Sequence, residues 1–77
     1  MITGAQIRMA RGYLKWSARE LAEKAEIGLS TVQRAEAIDG VPTSWGQNLA
    51  AIQNTLEAAG VEFIPENGGG AGVRLKK

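Results

Sequence analysis

Seventy-seven residues make one small domain, near the lower size limit for a self-sufficient core, so assembly into a dimer is a reasonable expectation. The absence of cysteine and histidine excludes disulfides, thiol nucleophiles, zinc-finger sites and imidazole bases together, and neither enzyme activity nor a cofactor is expected. Net charge is only +1, but residues 1–34 carry six basic against three acidic side chains, residues 35–66 five acidic and none basic, and residues 67–77 three basic. Such polarity suits either a phosphate-facing side or ordinary charge scatter. No apolar run reaches the length of a membrane span and no leader-like segment opens the chain, which points to a cytoplasmic protein with no membrane partner.

Thr3-x-x-Gln6 is a capping-box pattern, in which each side chain satisfies an amide left open at a helix start. Ile7, Ala10, Arg11 and Leu14 follow at the spacing of one helix face, which predicts a helix over about residues 4–14. The same box recurs at Ser17-Ala18-Arg19-Glu20 and opens a short helix that ends near Ala25. Ile27 and Gly28 break it, since glycine both stops a helix and serves as an N-cap. A third helix is predicted over about 29–38, with Val32 and Ala35 turned inward. Asp39-Gly40-Val41-Pro42 signals a turn. Ser44-x-x-Gln47 is a third box, and Trp45, Leu49, Ile52 and Leu56 mark a fourth helix reaching Ala59 with Gly60 as its cap. Beyond it the period changes to two. Residues 61–64 and 73–76 read as strands flanking a glycine-rich loop, a β-hairpin. Residues 1–60 thus form the helical part and residues 61–77 a hairpin of the same structural unit, suited to dimerisation.

Residues 17–37 hold the informative arrangement: two helices too short to be stable alone, separated by a tight break. Ala22 permits close approach and Ile27 and Val32 fill the space between them, so the third helix projects its outer face. That is the usual means of fitting a helix into the major groove. On its wheel Leu29, Ser30, Gln33, Arg34 and Ala37 share a side away from Val32 and Ala35. Arg34 can bind guanine through two hydrogen bonds, Gln33 adenine, Ser30 a base edge or phosphate, and Leu29 a thymine methyl. The plainer readings are a solvated face for Gln33 and Arg34, and packing on Ile27 for Leu29. Arg8, Lys15, Ser17 and Arg19 are candidate phosphate contacts, aided by amides at the second helix's N-terminus; Arg19 can instead pair with Glu23 one turn on.

Trp16, Ser17, Leu21, Ala22, Ile27, Thr31, Val32 and Glu36 match the pattern W-S-Q-x-x-L-A-x-x-x-G-V-S-x-x-T-I-x-x-x-E. The run resembles the helix-turn-helix of the XRE class, the phage Cro and CI repressor-like regulators. Residues 7–11 fit that family's first helix, and residues 55–64 resemble the ending of a compact bacterial subgroup. The resemblance implies a mainly α, four-helix, lambda-repressor-like domain with a C-terminal two-stranded hairpin. It implies a backbone contact for Thr31 and a partly buried ion pair between Arg11 and Glu36, which gives those two a structural role. The chain departs from the pattern at Ala18, where the family has Gln, at Glu26, where it has Gly, at Gly28, where Ser is frequent, and at Ala35, where a bulkier aliphatic is. Glu26 in a left-handed conformation costs about 1 kcal/mol.

The leading expectation is a sequence-specific regulator of transcription in a bacterial or phage cytoplasm, associated with the nucleoid. It would repress by occluding a promoter, and bind double-stranded DNA as a homodimer. The alternative is an antitoxin or anti-activator whose scaffold mainly binds a partner protein, a reading that Ala18 and Glu26 keep open. Trp16 and Trp45 read as core or dimer-interface residues. The glycine run 68–70 lacks the context of a phosphate-binding loop and reads as a hairpin tip. Lys76 and Lys77 would add nonspecific attraction to DNA or only solubility.

Overall fold

Four helices precede a two-stranded antiparallel sheet in a computed structural model that describes residues 2–40, 46–65 and 68–75. The elements are α1 (Gly4–Leu14), α2 (Ala18–Ala25), α3 (Leu29–Glu36), α4 (Gly46–Ala58), β1 (Val61–Ile64) and β2 (Gly72–Leu75). Residues 41–45, 66–67 and 76–77 lie outside the described residues, and with them the expectations for Pro42, the Ser44 cap, Trp45 and the terminal lysines.

Both capping boxes close as their spacing requires. The Thr3 hydroxyl accepts from the Gln6 amide at 3.1 Å while the Gln6 carbonyl oxygen accepts from the Thr3 amide at 2.9 Å. Ser17 and Glu20 repeat the exchange at 3.0 and 2.8 Å. α1 and α2 also end alike. Lys15 and Glu26 take left-handed conformations with φ of 60° and 58°, and the next residue reaches back to close the turn, Trp16 N–H to the Arg11 carbonyl and Ile27 N–H to the Ala22 carbonyl, both at 3.0 Å. This is the Schellman closure usually built on glycine. Trp16 and Ile27 then pack against the core, the apolar contact that accompanies that motif.

One core joins all the helices and β1. Ile7 and Ala10 of α1, Val32 and Ala35 of α3, and Ile52 and Leu56 of α4 have no exposed surface, as their helical spacing predicts. Leu21 and Ala22 supply the α2 side and Val61 the sheet side. Ala22 and Ala35 keep the helices close, since a longer side chain at either position would hold the backbones apart.

Three boundaries differ from expectation. α3 stops at Glu36 instead of residue 38; Arg8 takes the Glu36 carbonyl and the chain leaves to meet the start of α1. There the Gly4 amide donates to the Gly40 carbonyl at 2.9 Å. A Cβ on Gly4 would lie 1.8 Å from the Ile38 oxygen and 2.3 Å from that of Ala35, so only glycine fits this junction. α4 ends at Ala58, one residue early, with Gly60 at φ 103° in the turn to β1. β2 begins at Gly72 instead of 73, in the register Val61↔Leu75, Glu62↔Arg74, Phe63↔Val73 and Ile64↔Gly72. Its first pair is tied to α1: the buried Gln6 amide donates to the Ile64 carbonyl at 3.0 Å and the Gly72 carbonyl at 2.9 Å. Among the described residues no helix is long and apolar enough to cross a membrane.

Candidate nucleic-acid interface

α3 is held from behind on both sides. Val32 and Ala35 are sealed in the core, and Glu36, 8% exposed, receives the Arg11 guanidinium as a fork, Nε to one carboxylate oxygen and Nη2 to the other, each at 2.9 Å. Arg11 spends its remaining nitrogen on the Trp16 carbonyl at 3.1 Å, so one side chain joins the end of α1, the entry to α2 and the end of α3. The hydrogen bond to Glu36 raises the Arg11 pKa above its ordinary value, against the opposing effect of burial. The expected Arg11–Glu36 pair is therefore present with bidentate geometry.

With its inner face fixed, α3 presents Ser30, Gln33 and Arg34 to solvent, together with Ala37. Leu29 does not join them. It is half-buried and packs against the core, because Leu29, Val32 and Glu36 fall three and four residues apart on the inward stripe. Thr31 is half-buried in the first turn, its amide donating to the Gly28 carbonyl at 3.1 Å. Gly28 supplies no side-chain cap to α3.

The candidate phosphate contacts divide. Lys15 and Arg19 are exposed and, among the described residues, pair with no carboxylate; the alternative Arg19–Glu23 pair does not form. Ser17 is exposed, but its hydroxyl and amide are engaged with Glu20. A carboxylate thus already sits at the amides of the α2 N-terminus where a phosphate was expected, and only the Ala18 and Arg19 amides lie outside that exchange. Arg8 is committed elsewhere. Its guanidinium binds the Glu36 carbonyl and the Asp39 carboxylate at the C-terminal end of α3, where the helix dipole favours a cation. That end is opposite the first turn of α3, so in this structure the Arg8 guanidinium is engaged within the chain.

Three groups gain a role that local pattern did not disclose. Asp39 anchors Arg8, Gln6 joins α1 to the hairpin, and Lys24 lies over the Trp16 ring with its ammonium 5.0 Å from the centroid. Only the last had a visible signal, a tryptophan just before a short helix and a lysine in its last turn. Glu20, Glu23 and Glu26 are exposed on α2 and its C-cap beside Arg19 and Lys24, so the basic side chains of this stretch stand among carboxylates.

Compared with known proteins, the chain matches no family model, no curated protein and no solved structure.

Proposed function

We propose that this chain is a helix-turn-helix protein of the XRE kind that binds double-stranded DNA, with α2 lying across the backbone and α3 entering the major groove as the reader of sequence. The observation that carries the reading is the outer face of α3. Ser30, Gln33 and Arg34 project from a helix whose opposite side is locked by the core and by the Arg11–Glu36 fork. A rigid helix bearing an amide, a guanidinium and a hydroxyl has the donors and acceptors that discriminate base pairs in that groove. Lys15, Arg19 and the Ser17 hydroxyl would position it on phosphates. In a bacterial or phage cytoplasm such a protein acts as a regulator of transcription, repressing by occupying a promoter as a homodimer.

Selection from a random duplex library tests this. The wild type enriches a pseudo-palindromic sequence, and Arg34→Ala loses preference at one base pair of each half-site, a discrimination of about 1–3 kcal/mol. Unchanged selection by Arg34→Ala would remove α3 as the reader.

A second reading has its own support. Glu20 at the start of α2, with Glu23 and Glu26 exposed beside it, places negative charge on the surface that would face phosphates. An antitoxin or anti-activator that binds a basic protein surface tolerates those carboxylates better than a DNA reader does. Enrichment of no sequence from the library, with retained folding, would move this reading to the front.

A further inference from the structure

α1 presents an outer face without charge. Its only charged residues, Arg8 and Arg11, both point to α3, one to the Glu36 carbonyl and Asp39, the other to the Glu36 carboxylate. Roughly 100–160° round the helix from them lie Met9 and Tyr13, 42% and 56% exposed. Leu75 of β2, 36% exposed, continues that surface across an apolar groove of about 350 Å³ that Tyr13 lines together with Leu14, Ala59, Gly60 and Leu75. Gly12 lies on the same face. It is helical and exposed, and a Cβ there would meet nothing within 4 Å among the described residues, so no contact with them accounts for a residue that weakens a helix interior.

We infer that this face of α1 and β2 is the contact with a second copy of the chain, with Gly12 permitting close approach of two α1 helices. A two-fold contact sets each residue against its own copy or that copy's neighbours, so any charge on the face would meet its like; Ala5, Met9, Gly12 and Tyr13 carry none. The area also suffices. A standard interface covers about 800 Å² per partner, roughly a sixth of the 4675 Å² that the chain exposes and comparable to one side of a body measuring 33 × 28 × 18 Å. The role of such a dimer rests on the DNA reading. In the order α3–α1–α1–α3, three helix spacings of about 9 Å place the two α3 axes roughly 27 Å apart, near the ~34 Å between successive major-groove faces of DNA. Both α3 helices then lie on the outside of the pair.

Sedimentation of the full chain from low micromolar to near-millimolar concentration, without DNA, tests the contact. The wild type shifts reversibly from monomer to dimer. Tyr13→Glu and Met9→Glu weaken the dimer about tenfold or more while keeping the helical circular dichroism and dilute-solution melting of the wild type. Gly12→Ala gives the sharper readout, because alanine favours the isolated helix yet intrudes on the twin: it raises the melting temperature of the dilute monomer and lowers the dimer fraction. A wild type that stays monomeric throughout would overturn the inference and leave the face to a different protein. Equal dimerisation by all three variants would overturn it as well. If Tyr13→Glu abolishes the dimer but no duplex sequence is ever enriched, the contact stands and the DNA reading alone is lost.

Discussion

Lys15 and Glu26 share one backbone conformation at the ends of successive helices, φ 60° and 58°, yet carry opposite charges. Each side chain is strained by about 1 kcal/mol relative to glycine. Lys15→Gly and Glu26→Gly are therefore both expected to raise the melting temperature, by about 4–8 °C for a domain of this size. On the proposed interface their effects on DNA diverge: Glu26→Gly strengthens binding by removing a repulsion, and Lys15→Gly weakens it by removing an attraction. Melting curves alongside fluorescence anisotropy with a selected duplex separate the two effects. Parallel changes in affinity would mean that these side chains do not face the duplex. Gly4 behaves in the opposite sense. Its missing Cβ is what lets α1 approach the Ile38 and Ala35 carbonyls, and backbone atoms yield less than side chains, so Gly4→Ala should cost about 3 kcal/mol, read as a lowered urea midpoint.

At the scale of elements, the sequence disclosed what is local. Capping boxes at Thr3 and Ser17 and the alternation at residues 61–64 placed α1, α2 and β1 at their observed bounds, because the determinants lie within one turn or one strand. The bonds that arrange the elements were hidden for the same physical reason. Arg8 reaches across 28 residues to Glu36, and Gln6 across 58 and 66 residues to Ile64 and Gly72; no periodicity encodes such a meeting. Arg8 looked like a phosphate contact because an arginine on a helix face reads alike whether its partner is a nucleic acid or a distant carbonyl. Leu29 read either as a reader or as packing on Ile27, and a wheel does not show how far the core extends; it packs against the core. The Arg11–Glu36 pair was expected only through resemblance, for a similar reason. Gln6→Leu tests the hairpin link. It leaves two carbonyls and the Thr3 amide without their partner, a loss of about 2 kcal/mol in global stability, and the β1 and β2 amides should lose hydrogen-exchange protection ahead of those in α4. For the fork, removing Arg11 strands a buried carboxylate. Arg11→Met should cost about 2–3 kcal/mol, below the full penalty for a buried pair because the Arg11 side chain is 27% exposed. The raised pKa of Arg11 keeps it charged in folded and unfolded chains alike below the guanidinium range. Its contribution is present there and is lost only as pH climbs through the raised folded-state value, so mild alkali leaves the fork intact.

For the molecule as a whole, the balance of charge on the α2–α3 side decides how such a protein would hold DNA. Lys15, Arg19, Lys24 and Arg34 are exposed along with Glu20, Glu23 and Glu26, so on the proposed reading a single copy offers phosphates little net attraction, and two copies acting together would be the binding unit. Binding that releases counterions falls with salt at a slope of about −0.9 per phosphate neutralised. Lys15 and Arg19 from each of two copies neutralise four phosphates, a slope of about −3.6; Arg8, held by Glu36 and Asp39, adds nothing. Anisotropy titrations across salt concentrations should show Arg19→Gln flattening the slope by about 1.8 units with stability unchanged. Arg8→Gln should leave the slope alone and lower the urea midpoint, since it releases the last carbonyl of α3. The reverse pattern would mean that Arg8 leaves its intramolecular partners on meeting DNA, and that the end of α3 lies against the backbone beside its first turn. A slope near zero for the wild type would remove phosphates from the account altogether and favour the protein partner, whose grip on the α2 carboxylates would itself weaken with salt.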